Sequence, residues 1–361
     1  MKRSTFFFAI ALVAAALMTS FQNCHACTGI TLKAKDGTTV VARTIEWAAS
    51  DNECRWVVVP RGHTWKSFIP GGGTGRSFTN EYGYVGVAVV QDELMMEGMN
   101  EKGLSAGLFY FPDYGKYEEY SESNFDSNIS DFQLVSYILG RCATIEEVKA
   151  EIAKVHIHGF DPRSSTVHWR FAEPSGRQIV LEIIDGKCVF YENTVGVLTN
   201  SPSFDWQLTN LNNYVNLLPG RIEPHTLGNM SLSSFGGGSA MLGLPGDFTP
   251  PSRFVRAAFF QNTAPVKPNA EESALQAFHI LGSMEIPIGA QFAQGQEPAD
   301  IPSATQCTCV SDMSGLNFYY RSMYDGGIRC IDLKEINFKK VGLRSEPLIP
   351  AKKEFVHYIK F

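Results

Sequence analysis

After an apolar run from Phe6 to Met18, the chain settles into short segments in which apolar and polar residues alternate, the period of half-buried strands. Residues 28–33 alternate, Lys35-Asp36-Gly37 reverses the chain, and residues 39–44 alternate again, which predicts a tight hairpin. Strands are also predicted over 55–60, 84–90 and 104–111, the last entered through a turn at 99–103. More follow over 166–172, 178–184, 187–191 and 195–198, separated by Ser175-Gly176 and Asp185-Gly186. Amphipathic helices are predicted over 132–139, 145–155, 204–215, 253–263 and 271–284, with Thr144 and Glu147 forming a capping box before the second. Late strands over 305–311, 316–323 and 328–333 complete the pattern. Meandering strands with helices between them predict an α+β chain of antiparallel sheets covered by helices.

The first apolar run has a different meaning. Lys2 and Arg3 precede it and a polar stretch ending at Ala26 follows, the layout of a secretory signal peptide. It is shorter than the roughly 20 residues that span a bilayer, so no stable membrane span is expected. Cleavage after Ala26, with Cys24 as the small residue two places earlier, would leave Cys27 as the first residue of a single exported domain, 27–361, in a periplasmic or extracellular setting. A lipoprotein signal fits less well, because neither Cys24 nor Cys27 has leucine three positions upstream.

Loss of residues 1–26 moves the formal charge from −6 to −8, which argues against a nucleic-acid partner. With 44% hydrophobic and 12% aromatic residues the rest can bury a large core, and no composition break marks a linker. The cysteines match no paired zinc spacing, and Cys307 and Cys309 read as small buried residues on one strand face. His156-Ile157-His158 lacks a third ligand at metal spacing. The glycine clusters at 71–75 and 236–238 lack the Lys-Ser/Thr ending of a phosphate loop and read as mobile surface loops. No cofactor or metal is called for.

A terminal cysteine carries two reactive groups. Its α-amine, with a reference pKa of roughly 7.7–8.0, lies close to a thiol of about 8.5 and can take the thiol's proton. The thiolate can attack an amide carbonyl, and the ammonium can protonate the departing amine. An inert cysteine exposed by chance is the bland alternative.

"CTGITLKAKDGTTVVARTIEW" resembles the opening of the choloylglycine hydrolase family, which includes conjugated bile salt hydrolases and penicillin V acylases. The resemblance continues through "EGMNEKGLSAGLFYFP", "VGVLTNSPSFDWQLTNLNNY", "LPGDFTPPSRFVRAAF" and "TQCTCVSDMSGLNFYYRSM", nearly the whole length after residue 26. It implies an N-terminal nucleophile hydrolase with a four-layer αββα sandwich of two antiparallel sheets flanked by helices, and a homotetramer. It assigns Cys27 as nucleophile, Arg43 as the arginine favouring its thiolate, and Asn200 as an oxyanion donor. Arg253 is implied as the second active-site arginine, with Arg256 its exposed or structural neighbour. Glu46 stands where the family usually has aspartate, hydrogen-bonded to the nucleophile. Tyr110 is implied to give its backbone amide to the oxyanion. Its tyrosine resembles penicillin V acylases, whereas the following Phe111-Pro112 resembles the bile-salt group.

The implied substrate is a small amphiphilic amide with a bulky apolar acyl group. Trp47, Phe109, Phe111 and Trp206 are the candidate pocket aromatics. Bile salt deconjugation is the leading reading, with penicillin V or another N-acyl amide such as an acyl-homoserine lactone second. A catalytically inactive amphiphile-binding relative is a third.

Overall fold

The computed structural model describes residues 26–159, 165–298, 301–353, 356 and 358–360. The expected signal peptide lies outside these residues except for Ala26. In chain order the strands of the two principal sheets are β1 (Cys27–Lys33), β2 (Thr39–Glu46), β3 (Arg55–Val59), β4 (Tyr84–Ala88), β5 (Met95–Asn100), β6 (Ser105–Tyr110), β7 (Val167–Ala172), β8 (Gln178–Ile184), β9 (Lys187–Glu192), β10 (Thr305–Asp312), β11 (Asn317–Ser322), β12 (Arg329–Asp332) and β13 (Arg344–Pro347). The α-helices are α1 (Leu134–Leu139), α2 (Ile145–Ile152), α3 (Phe204–Asn210), α4 (Pro250–Thr263) and α5 (Ala270–Gly282).

One sheet has the order β1-β2-β10-β11-β12 and the other β9-β8-β7-β6-β5-β4-β3-β13, with antiparallel pairing throughout both. Helices α4 and α5 cover the outer face of the five-stranded sheet, and α1 and α2 that of the eight-stranded sheet. The layers run helix, sheet, sheet, helix, the expected αββα sandwich.

The first hairpin forms as predicted. Asp36 Oδ1 accepts from the Thr38 N–H at 3.0 Å, and Gly37 takes φ 89°, which a side chain would resist. Cross-strand register then sets the faces. Cys27, Gly29 and Thr31 pair with Ile45, Arg43 and Val41, which pair in turn with Cys307, Cys309 and Ser311. This set faces the other sheet, while Ile30, Leu32, Val40, Ala42 and Val310 pack beneath α4 and α5.

Some elements depart from the prediction. The 195–198 strand is reduced to a single bridge between Gly29 and Leu198. Strands β5 and β13 were not anticipated, because Met95–Asn100 mixes glycine and polar residues without clean alternation and Arg344–Pro347 contains proline. Gly71, Gly72 and Gly73 lie in the turn of an unpredicted hairpin, Thr64–Phe68 with Thr74–Thr79, and Gly71 and Gly72 take positive φ. His156 is exposed against Glu118 and His158 is buried, and among the described residues no three side chains are grouped to hold a metal. Cys307 and Cys309 are buried free thiols. Helix α4 begins at Pro250, three residues earlier than predicted, with prolines in its first turn.

Candidate active site

Cys27 opens β1 at the edge of the five-stranded sheet and is 3% exposed. Its nitrogen donates to Asn200 Oδ1 at 2.8 Å, joining the start of the chain's first strand to the segment before α3. Arg253, buried in the first turn of α4, ties the two together. Its Nη2 donates to Asn200 Oδ1 at 2.8 Å, and its Nη1 to the Cys27 carbonyl at 2.6 Å and to Thr28 Oγ1 at 2.8 Å. Two donors on one oxygen fix the orientation of the Asn200 amide. Asn200 Nδ2 donates to the Tyr110 carbonyl at 2.7 Å, a bond that uses one of its two hydrogens.

Arg43 rises from the next strand and is fully buried. Nη1 donates to the carbonyls of Met96, at 3.1 Å, and Leu108, and Nε to that of Thr44 at 3.1 Å. The guanidinium sits 4.0 Å from the Phe109 ring centre, and Nη2 has no hydrogen-bond partner. Burial pushes the Cys27 thiol up, while the charges of Arg43 and Arg253 pull it down; the net direction is upward while residue 26 remains attached.

Glu46 departs from what the resemblance implies. Its carboxylate accepts from Thr305 Oγ1 at 3.1 Å, whereas the Cys27 nitrogen goes to Asn200. The reason is local: as a peptide nitrogen it has one hydrogen, and Asn200 takes it. Burial raises the Glu46 carboxyl to about 7, against the lowering influence of Arg253. Burial also lowers Arg253, to about 10, so it stays charged at neutral pH. Ala26 precedes this site and is itself buried, packed against Ala48, Ile286 and Ala304 with Phe248, Ile288 and Phe292 around them.

Two of the expected pocket aromatics are corrected. Phe109 and Phe111 are wholly buried, Phe109 under the guanidiniums of Arg43 and Arg170 and Phe111 stacked on His168, so neither offers a surface to a substrate. Trp47 is half-buried and Trp206 is 44% exposed. Arg256 is a structural neighbour: it is buried and its Nη1 donates to the carbonyls of Pro245, at 2.8 Å, and Asp247.

Sequence reading missed the charged row beneath Arg43. Glu97 Oε1 accepts from Arg170 Nη2 at 2.9 Å and Ser105 Oγ at 3.2 Å, and Arg43 Nη1 lies 3.8 Å from Glu97 Oε2, all three ionisable groups being at most 2% exposed. Only glycine fits two places here. A Cβ on Gly107 would come within 1.9 Å of Glu97 Oε2, and one on Gly29 within 2.8 Å of Arg170 Nη1. The available signal was alternation in β7, where His168 and Arg170 alternate with Val167, Trp169 and Phe171; it reads as a half-exposed strand, yet both faces are buried.

Comparison with known proteins adds identity to this geometry. The bile salt hydrolase/transferase of Clostridium perfringens is 31% identical over 86% of this chain and 93% of its own. A solved structure of conjugated bile acid hydrolase from that organism superposes with TM-score 0.77 and 28% identity, covering 92% of this chain and all of the other; it carries a cysteine-to-alanine change. A further structure of that hydrolase replaces an arginine sixteen residues later by leucine. Penicillin V acylase from Agrobacterium tumefaciens is 25% identical with TM-score 0.71, over 92% of this chain and 94% of the other. Residues 27–346 match the linear amide C–N hydrolases of the choloylglycine hydrolase type, and the chain belongs to that family.

Proposed function

We propose that this hydrolase deconjugates glycine- and taurine-linked bile salts, with Cys27 as nucleophile once residues 1–26 are removed. The observation that carries the reading is the Cys27 nitrogen held on Asn200 Oδ1, with Arg253 bridging both residues. Supporting it, the family match begins at Cys27, and the cysteine and arginine altered in the Clostridium structures have the spacing of Cys27 and Arg43.

Removal of residue 26 turns a peptide nitrogen into an amine. Asn200 accepts one amine hydrogen, and the lone pair takes the thiol proton. The thiolate adds to the amide carbonyl while the free Nδ2 hydrogen of Asn200 meets the oxyanion. Collapse breaks the C–N bond, the ammonium protonates the leaving amine, and a thioester remains. Water, deprotonated by the same amine, then releases the acid and the thiol. The unpartnered Nη2 of Arg43 supplies a charge-bearing donor beside these steps.

Penicillin V is the second substrate reading, favoured by Tyr110 and by the likeness to the Agrobacterium acylase. Export is proposed with the signal peptide. A tetramer is also proposed, in which Val215, Leu227, Met230, Phe235 and Leu242, all more than 60% exposed, would be covered. The test presents mature protein with both conjugate classes and with penicillin V, beside Cys27→Ala, and measures released amine. Intact mass checks for a chain starting at unmodified Cys27. Silence with a verified free Cys27 would sink the bile salt and penicillin V readings and leave another N-acyl amide, such as an acyl-homoserine lactone, or an inactive amphiphile-binding role.

A further inference from the structure

The inner face of the eight-stranded sheet holds a second buried pair that the hydrolytic steps leave without a role. His168 on β7 and Glu182 on β8 are neighbours across the sheet, and both are fully buried. His168 Nδ1 lies 3.1 Å from Glu182 Oε1, and Nε2 lies 3.1 Å from the Thr199 carbonyl oxygen. The same Glu182 Oε1 accepts from the backbone N–H of Phe204 at 2.9 Å. The imidazole is stacked on Phe111, with ring centres 4.5 Å apart and planes within 9°.

These contacts determine where the protons sit. A carbonyl oxygen only accepts, so Nε2 carries a hydrogen; a backbone N–H only donates, so Oε1 accepts it. One further proton must lie between Nδ1 and Oε1, since otherwise two lone pairs would face each other in a dry interior. The arrangement closes on both ends of one short segment. Thr199 directly precedes Asn200, and Phe204 is the first residue of α3.

We propose that His168 and Glu182 are positioning residues that clamp segment 199–204 at both ends and so hold Asn200 where Oδ1 meets the Cys27 nitrogen and Nδ2 meets Tyr110. The stack on Phe111 ties the clamp to the strand that bears Tyr110. The inference rests on the reading of Asn200 as part of the hydrolytic site.

Glu182→Gln is an informative variant because it changes shape little. With its oxygen toward Phe204, the amide leaves a neutral imidazole one hydrogen for two acceptors; with its nitrogen there, two N–H groups collide. We expect kcat to fall about tenfold with KM within about twofold, the signature of a lost transition-state contact. His168→Phe keeps the stack and removes both hydrogen bonds, and should lower kcat about ten- to a hundredfold, below the loss of a direct oxyanion donor. His168→Gln restores a donor toward Thr199 and should recover part of that loss. Wild-type kcat per folded molecule in His168→Phe would overturn the proposal, even with a lowered unfolding midpoint.

The 15N spectrum of histidine-labelled wild-type protein at pH 7 gives a second readout that needs neither turnover nor a variant. A protonated Nε2 on His168 is expected, and an unprotonated one overturns the clamp. If the wild type cleaves no amide although Cys27 is free, the hydrolytic reading fails while the spectrum still decides the clamp.

Discussion

Along β7, Val167, Trp169 and Phe171 point toward α1 and α2, whereas His168 and Arg170 point toward the other sheet, and all five are at most 1% exposed. The outer face is held by volume and shape alone: Leu108, Trp169 and Leu181 lie side by side across β6, β7 and β8. Apolar residues of similar size could replace one another there at modest cost. The inner face differs in kind. Arg43, Glu97, Arg170, His168 and Glu182 are just as dry, and each depends on a named partner. Apolar residues in place of such buried charges are often neutral or stabilising, so stability alone gives no reason for them. The proposed site at Cys27, Asn200 and Tyr110 would give one. In this sandwich the outer side of β7 packs apolar residues against the helices, whereas the inter-sheet layer sets a buried charged row beside an apolar core that includes Val85, Val87 and Met99.

That contrast can be broken by experiment, in order of effect on turnover. Cys27→Ala removes the proposed nucleophile and should abolish amine release, a loss of about 10⁴-fold or more, with an unchanged circular dichroism spectrum and unfolding midpoint. Arg43→Ala should lower kcat/KM about a hundredfold and move the pH profile of Cys27 alkylation upward, because the Arg43 charge lowers that thiol. An unmoved profile would remove Arg43 from its role.

Glu97→Leu tests the inner face directly. It leaves Arg43 and Arg170 without a counter-charge and should cost about 3–5 kcal/mol in urea unfolding, with a smaller loss of turnover through a displaced Arg43. Adding Arg170→Leu should recover much of the stability and little of the activity; full recovery of both would show the row to be structural.

Glu46 gives a pH signature. Its carboxyl is raised by burial to about 7 in the full-length chain, so between its unperturbed 4.5 and about 7 the folded state holds a proton that the unfolded state has lost. Stability from this group is complete below pH 4.5 and declines as pH rises to about 7. Glu46→Gln should flatten that slope in pH-dependent unfolding. Leu181→Ala, on the outer face, should cost about 2–5 kcal/mol while kcat per folded molecule stays unchanged. A collapse of kcat there would erase the distinction between the faces.

Local pattern carried much of the architecture. Alternation with Asp36-Gly37 specified the first hairpin, and Thr144 with Glu147 specified the start of α2, where both halves of the capping box form. These depend on residues within a few positions of one another, which is why they were legible. The motifs around Cys27, Arg43, Asn200 and Arg253 pointed to a common site, and tertiary structure joins Cys27, Asn200 and Arg253 by direct hydrogen bonds. What the sequence could not assign was the use of each polar group. Phe109 was expected to wall a pocket and is a buried plate beneath two arginines; His168 and Arg170 lay in a predicted strand with no role assigned and prove fully buried. A strand's period of two states only that its faces differ. Whether the polar face meets water or another sheet depends on strands far away in sequence, and only their packing turned His168, Arg170, Glu97 and Glu182 from surface charges into a dry, partnered row.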